Sequence, residues 1–311
     1  SSITLGWNSN ATMTMNGGIM TVLGSVSHLD GNDGALTLNG GTLETTQVTS
    51  STGNGTFSVN FNGGKLRALS DALLNEGSTK SCVSTYFVKD GGVVIDGNGK
   101  NFEALPTFLK SGSGGITKLG SGTMTFSGGT YTGATTVAAG TLSLNFNKRA
   151  IGVARKAVSD FYERTSRLIL NGGNFTVIGL AAAPSVTRTF TIGTSWYDRC
   201  ARNGNTTGLV AGMPVSGTHI PADTYVVYVN DSSKLIMNKS ATATTNTVES
   251  LTFGAVTNTT WQMIDNIELQ QNATLTVNAN GGPGTTLSVG AITGPDSLTK
   301  EIKLTQELLT L

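Results

Sequence analysis

Apolar and polar residues alternate in short runs along most of this chain. Met13-Thr14-Met15, Leu36-Thr37-Leu38 and Val59-Asn60-Phe61 each lead into Asn-Gly-Gly, and a second alternating run follows. Alternation with period two puts one set of side chains on one face of a strand, so each run predicts a half-buried β-strand. Asn-Gly supplies the positive φ that a tight turn needs. A single such unit would read as a hairpin. The three turns, however, start at positions 16, 39 and 62, a constant interval of 23 residues. That length suits one coil of a β-solenoid, in which each strand pairs with its equivalent one coil away, ~4.8 Å along the axis. The pattern therefore predicts an all-β parallel β-helix, with a β-sandwich or propeller as the competing architectures. The expected structural turns are Asn16-Gly17, Asn39-Gly40 and Asn62-Gly63, stacked at one corner, and a later copy at Asn171-Gly172 within Leu168 to Val177. Val88 to Ile95, with Asp90-Gly91-Gly92 at its centre, is a divergent copy.

Two segments break the pattern. In 148–165, Ala150, Val153, Ala154, Ala157, Val158 and Phe161 fall at helical spacing, opposite a face holding Arg149, Arg155, Lys156 and Asp160. This predicts one short amphipathic helix packed on the solenoid. In 190–253 the Asn-Gly-Gly punctuation disappears, and Pro214 and Pro221 enter, which do not belong inside a central strand. Tyr225 to Val229 and Lys234 to Asn238 flank the polar Asn230-Asp231-Ser232-Ser233, which predicts a hairpin in a small inserted β-module. The domain reading is therefore solenoid over 1–147, helical insertion over 148–165, solenoid over 166–189, β-module over 190–253, and solenoid with a terminal strand over 254–311.

Composition sharpens this picture. Thr (48), Gly (41), Ser (28) and Asn (25) make up nearly half of the 311 residues, and only 13% are charged, with a net charge of +1. Such a chain has no electrostatic footprint for nucleic acid or an anionic membrane. No apolar run is long enough to predict a membrane-spanning helix. Cys82 and Cys200 are far apart and read as isolated thiols rather than a disulfide. His28 and His219 fall in different repeats, no His or Cys cluster has metal spacing, and the carboxylates are sparse. No catalytic, cofactor or metal residue is predicted. Asp30 to Gly34 and Asp96 to Gly99 read as Asx turns rather than calcium loops, since neither has the full ligand spacing.

A second repeat carries a family resemblance. Residues 114–144 contain Thr117-Lys118, Gly120-Ser121-Gly122-Thr123, Thr130-Tyr131-Thr132-Gly133 and Gly140-Thr141-Leu142. This resembles the autotransporter-associated β-strand repeat, departing from it at Gly128-Gly129, where the usual Asn is missing. The resemblance implies an exported bacterial passenger with a β-helical fold, extracellular or at the cell surface. Family passengers usually precede an outer-membrane barrel, and none is legible before Leu311. The expected role is a non-enzymatic scaffold, an adhesin stalk or fibre. A filament subunit assembled by end-to-end strand pairing and a carbohydrate-active β-helix enzyme are the alternatives. Neither end of the chain reads as capped, so Ile3, Leu5, Leu298, Ile302, Leu304 and Leu308 are the expected subunit contacts. Self-association into fibres and a surface carbohydrate or protein ligand are the expected partnerships. The expected contact surface is the inserted module, whose Gly212 to Thr224 resembles a small module of bacterial surface and phage-tail proteins.

Overall fold

A computed structural model describes residues 1–6, 8–28, 32–50, 55–74, 84–104, 108–126, 129–145, 167–178, 182–193, 200–256, 259–278, 285–295, 300–305 and 308–310. The described residues are all-β, and their parallel strands stack as a solenoid of about nine turns. The helix expected over 148–165, the thiol of Cys82 and the contact residue Leu298 lie outside the described residues.

Each coil contributes up to three strands, one to each of three faces. On the first face, 11–15, 34–38, Phe57–Phe61, Ser84–Val88 and Phe108–Lys110 pair in parallel register. On the second, 19–22 and 42–45 lead through Lys65–Ala68, Val93–Asp96, Ile116–Leu119, Thr135–Val137 and Leu168–Leu170 to 267–269 and 291–293. The third carries Ile3–Leu5, 25–28 and 47–50, then Phe102–Ala104, Thr123–Phe126, Thr141–Asn145, Asn174–Ile178, Ala273–Asn278 and Lys300–Thr305. Residues 71–74 bridge its two parts: Val48 N donates to Leu73 O (2.7 Å), and Asn101 N donates to Asp71 Oδ1 (2.8 Å).

The alternation seen in the sequence becomes vertical ladders. On the second face Leu43, Leu66, Ile95, Lys118, Val137, Leu170 and Leu269 pair in succession, one per coil. All seven are buried. On the first face Phe61, Tyr86 and Phe108 form an aromatic cluster with centroids 5.5 to 6.1 Å apart. Each fully buried apolar side chain contributes about 1.5–3 kcal/mol relative to exposure. A thin, long core is therefore sufficient because it is repeated.

Val186–Ile192 leaves this stack. It pairs antiparallel with Thr247–Phe253, and the sheet continues through Pro214–Ser216, Thr224–Asp231, Lys234–Met237 and Cys200–Ala201. Two backbone bonds between Arg202 and Thr191 (3.0 and 2.8 Å) join the last strand to the first, so six strands close into a small barrel. Val186 to Thr189, which the sequence pattern leaves with the solenoid, belong to this barrel. Phe190, Met213, Val226, Leu235, Leu251 and Phe253 fill its centre, within one apolar cluster that also runs through the solenoid. Pro214 opens its strand and Pro221 lies between strands, where a missing N–H breaks no ladder. The hairpin is tighter than its polar run suggests. The strand extends to Asp231, whose carboxylate accepts from Ser233 N and Oγ (2.8 and 2.9 Å). An antiparallel bridge between Ala183 and Val256 forms the neck.

Candidate functional site

The Asn-Gly-Gly corner is built from side-chain amides stacked one coil apart. Asn39 Nδ2 donates to Asn16 Oδ1 (2.8 Å), and Asn62 Nδ2 donates to Asn39 Oδ1 (3.1 Å). Gly91 N then donates to Asn62 Oδ1 (2.9 Å), and Asp90 Oδ1 accepts from Ser113 N and Oγ in the next coil. At Asn62 the turn needs Gly63 at φ 96°, and both Asn62 N and Gly64 N donate to Leu38 O. Gly40 lies directly against Asn16, while Gly17 faces open space. Asn171 and Gly173 repeat the same pair of bonds, to Val137 O, with Gly172 at φ 91°. Yet this fourth copy joins Leu168–Leu170 to Asn174–Ile178, so it occupies the corner between the second and third faces.

The carboxylates follow the same coil-to-coil logic. Asn10 Oδ1 accepts from Asp33 N, and Asp33 Oδ1 accepts from Thr56 N and Oγ1 (2.9 and 2.7 Å). Across the second face Thr21 Oγ1 donates to Glu44 (2.9 Å), whose other oxygen takes Arg67 Nη1 (2.8 Å). Arg67 also reaches Asp96 (3.5 Å) and Asn98 Oδ1 (2.9 Å). Hydrogen bonds to Thr56, Thr21 with Arg67, and Ser113 hold Asp33, Glu44 and Asp90 below the usual carboxylate range; bonds to Ser233 do the same for Asp231. A carboxylate that must deliver a proton near neutrality needs the opposite shift. Among the described residues, no group of three or more His, Cys, Asp and Glu could hold a metal ion.

Lys118 is the residue that the sequence reading missed. It occupies the inward ladder between Ile95 and Val137 and is fully buried. Its ammonium donates to the carbonyls of Leu119 (2.8 Å), Gly120 (2.7 Å) and Ala139 (3.4 Å), clamping two successive turns of a glycine-rich corner. Burial lowers its pKa to about 8, opposed by the charge of Asp96. The available signal was phase: Ile116 and Lys118 share the parity of the inward residues. One coil on, buried Tyr131 bonds Thr135 Oγ1 (2.7 Å).

The expected subunit contacts lie on the first strand and on the last described strands. Ile3 and Leu5 already pair with Val26 and His28, and Leu5 is buried. Ile302, Leu304 and Leu308 pair with Leu275, Val277 and Thr286. Among the residues with described side chains, the large exposed apolar ones are Ile19 (76% exposed), Leu23 (73%) and Met20 (39%), on a strand segment whose outer edge has no described partner, and Val248 (70%) in the barrel. In the barrel, His219 Nδ1 meets Glu249 Oε2 (2.9 Å), pinning the 217–220 loop to Thr247–Phe253. No helix among the described residues is long and apolar enough to cross a membrane. Buried Cys200 is a free thiol, and burial raises its pKa.

A family model, the passenger-associated-transport-repeat, matches residues 116–144. No curated protein and no solved structure matches significantly. The matched stretch spans the Lys118 clamp and two coils of the solenoid, so the repeat is here a structural unit of the stack. The chain is thus a β-solenoid that carries the passenger repeat of autotransporters.

Proposed function

We propose that this protein is a non-enzymatic extracellular scaffold of a bacterium, a passenger-like stalk that presents the 186–253 barrel as its contact module. The observation that carries this reading is continuity across the insertion. Leu168 pairs with Ile267 and Phe175 with Leu275, so the parallel ladder passes from one coil to the next although the barrel is inserted between them. A rigid frame that tolerates such an insertion without losing register is suited to display. The carboxylates support a non-catalytic role, since those with shifted pKa values are held ionised as turn caps and ladder partners. The passenger repeat supports export to the cell surface. The ligand class proposed for the barrel is a surface carbohydrate or protein.

The test is adhesion by cells that display the whole chain, against cells that display a chain lacking residues 184–255, on glycan-coated and protein-coated surfaces. Adhesion lost with the barrel supports the reading. Equal adhesion by both displays rules out the barrel as the contact module. A second reading, assembly into filaments by strand pairing, is favoured by the outer edge of 11–22 with its exposed Ile19 and Met20. It predicts concentration-dependent sedimentation of the purified chain, and a chain that stays monomeric at high concentration eliminates it.

A further inference from the structure

We propose that Asn16 is a site of spontaneous deamidation and that the amide ladder protects Asn39 and Asn62 from the same reaction. All three precede glycine, which leaves the attacking backbone nitrogen sterically open. In the reaction the backbone N of the glycine loses its proton and attacks Cγ of the asparagine. The bond from Cγ to the side-chain nitrogen breaks, ammonia leaves, and a five-membered succinimide remains. Water then opens either carbonyl, giving aspartate or isoaspartate. The net change is amide plus water to acid plus ammonia, and no oxidant or reductant takes part.

Three features separate the sites. The first is the leaving group. Asn39 and Asn62 each donate their Nδ2 to the asparagine one coil before, whereas among the described residues Asn16 Nδ2 has no such acceptor and its Oδ1 accepts from Asn39. The second is the attacking nitrogen at Asn62, where Gly63 N itself donates to Gly92 O (2.9 Å). The third is room for the main chain to turn. A Cβ placed on Gly40 would lie 2.6 Å from the Asn16 carbonyl oxygen, so that backbone is wedged against the previous coil. On Gly17 or Gly18 it would meet nothing within 4 Å, and both glycines are exposed with Asn16. Cyclisation at Asn39 or Asn62 therefore requires the corner to part from a coil on each side, whereas Asn16 has a described coil on one side only.

Conversion also alters the ladder. An aspartate at position 16 keeps the oxygen that accepts from Asn39 and adds one negative charge, so the stack survives. A second conversion at Asn39 would set two carboxylates ~4.8 Å apart, which the corner opposes. Isoaspartate lengthens the main chain and spoils the strand register at that end.

The experiment is incubation of the folded full chain in mildly alkaline buffer at body temperature, with peptide mass spectrometry of each site over time. The same chain in denaturant gives the intrinsic rate of each site. The expected result is comparable rates in denaturant, and in the folded chain conversion at Asn16 roughly tenfold or more faster than at Asn39 and Asn62. Folded-state conversion at Asn39 or Asn62 as fast as at Asn16 overturns the proposal, as does an Asn16 that converts only in denaturant. An Asn39→Ala chain adds an independent check: removing the acceptor for Asn62 should accelerate Asn62, and an unchanged rate there removes the ladder from the explanation.

Discussion

At the scale of the residue, the informative case is a lysine in an apolar stack. Lys118 replaces a hydrophobe between Ile95 and Val137, and its three carbonyl contacts offset only part of the cost of burying its charge. Removing only the cation leaves the corner carbonyls without their donor, and this outweighs the relief of desolvation. Lys118→Met is therefore expected to destabilise the chain by about 1–3 kcal/mol in urea titrations. The pH dependence has a definite sign. A lysine whose folded pKa is about 8 against an ordinary 10.5 binds fewer protons folded than unfolded between those values. Wild-type stability consequently rises with pH from about 8, and the deficit of the methionine variant should widen with it. The comparison ends near pH 10, where buried Tyr131, whose pKa is raised by burial, begins to act in the opposite direction. A deficit that is constant from pH 7 to 10 would remove Lys118 as the titrating group. The phase of this lysine was legible beforehand, but its burial was not, because lysine normally marks the solvent face and only the finished corner supplies carbonyls to hold it.

At the scale of the element, one turn motif serves two corners. The bonds made by Asn62 and Gly64 to Leu38 O are repeated by Asn171 and Gly173 to Val137 O, in a different position around the solenoid. Local chemistry fixes the turn; its place around the coil follows from how much chain precedes it. Stacking then determines how much each copy tolerates. Gly40 lies 2.6 Å (from a would-be Cβ) beneath the Asn16 carbonyl, and Gly17, at the same position of the repeat, has open space. Gly40→Ala is expected to cost about 1–3 kcal/mol and Gly17→Ala to stay within about 0.5 kcal/mol, measured as a pair by thermal melting. Similar costs at both positions would show that the coils are not stacked in this register.

At the scale of the whole molecule, the solenoid and the barrel follow different pairing rules joined by a narrow neck. The ladder passes from Leu168 to Ile267 without the barrel strands, and Ala183 faces Val256 across the neck. A chain in which a short turn replaces residues 184–255 is therefore expected to keep its β-sheet circular dichroism and a cooperative unfolding transition. Loss of cooperativity in that deletion would mean that the barrel is integral to the coil it interrupts. Part of this organisation could be read directly from the chain. The alternation of Leu36-Thr37-Leu38, the positive-φ demand of Asn-Gly and the 23-residue interval together require a repeated coil, because each is a short-range or periodic property. The closure of six strands through Thr191 and Arg202, the placement of Val186 to Thr189 in the barrel, and the burial of Lys118 could not be read in this way. Each depends on partners brought close from distant parts of the chain. A strand's sequence states which of its faces is apolar, but not which strand lies beside it; that was decided by the tertiary structure.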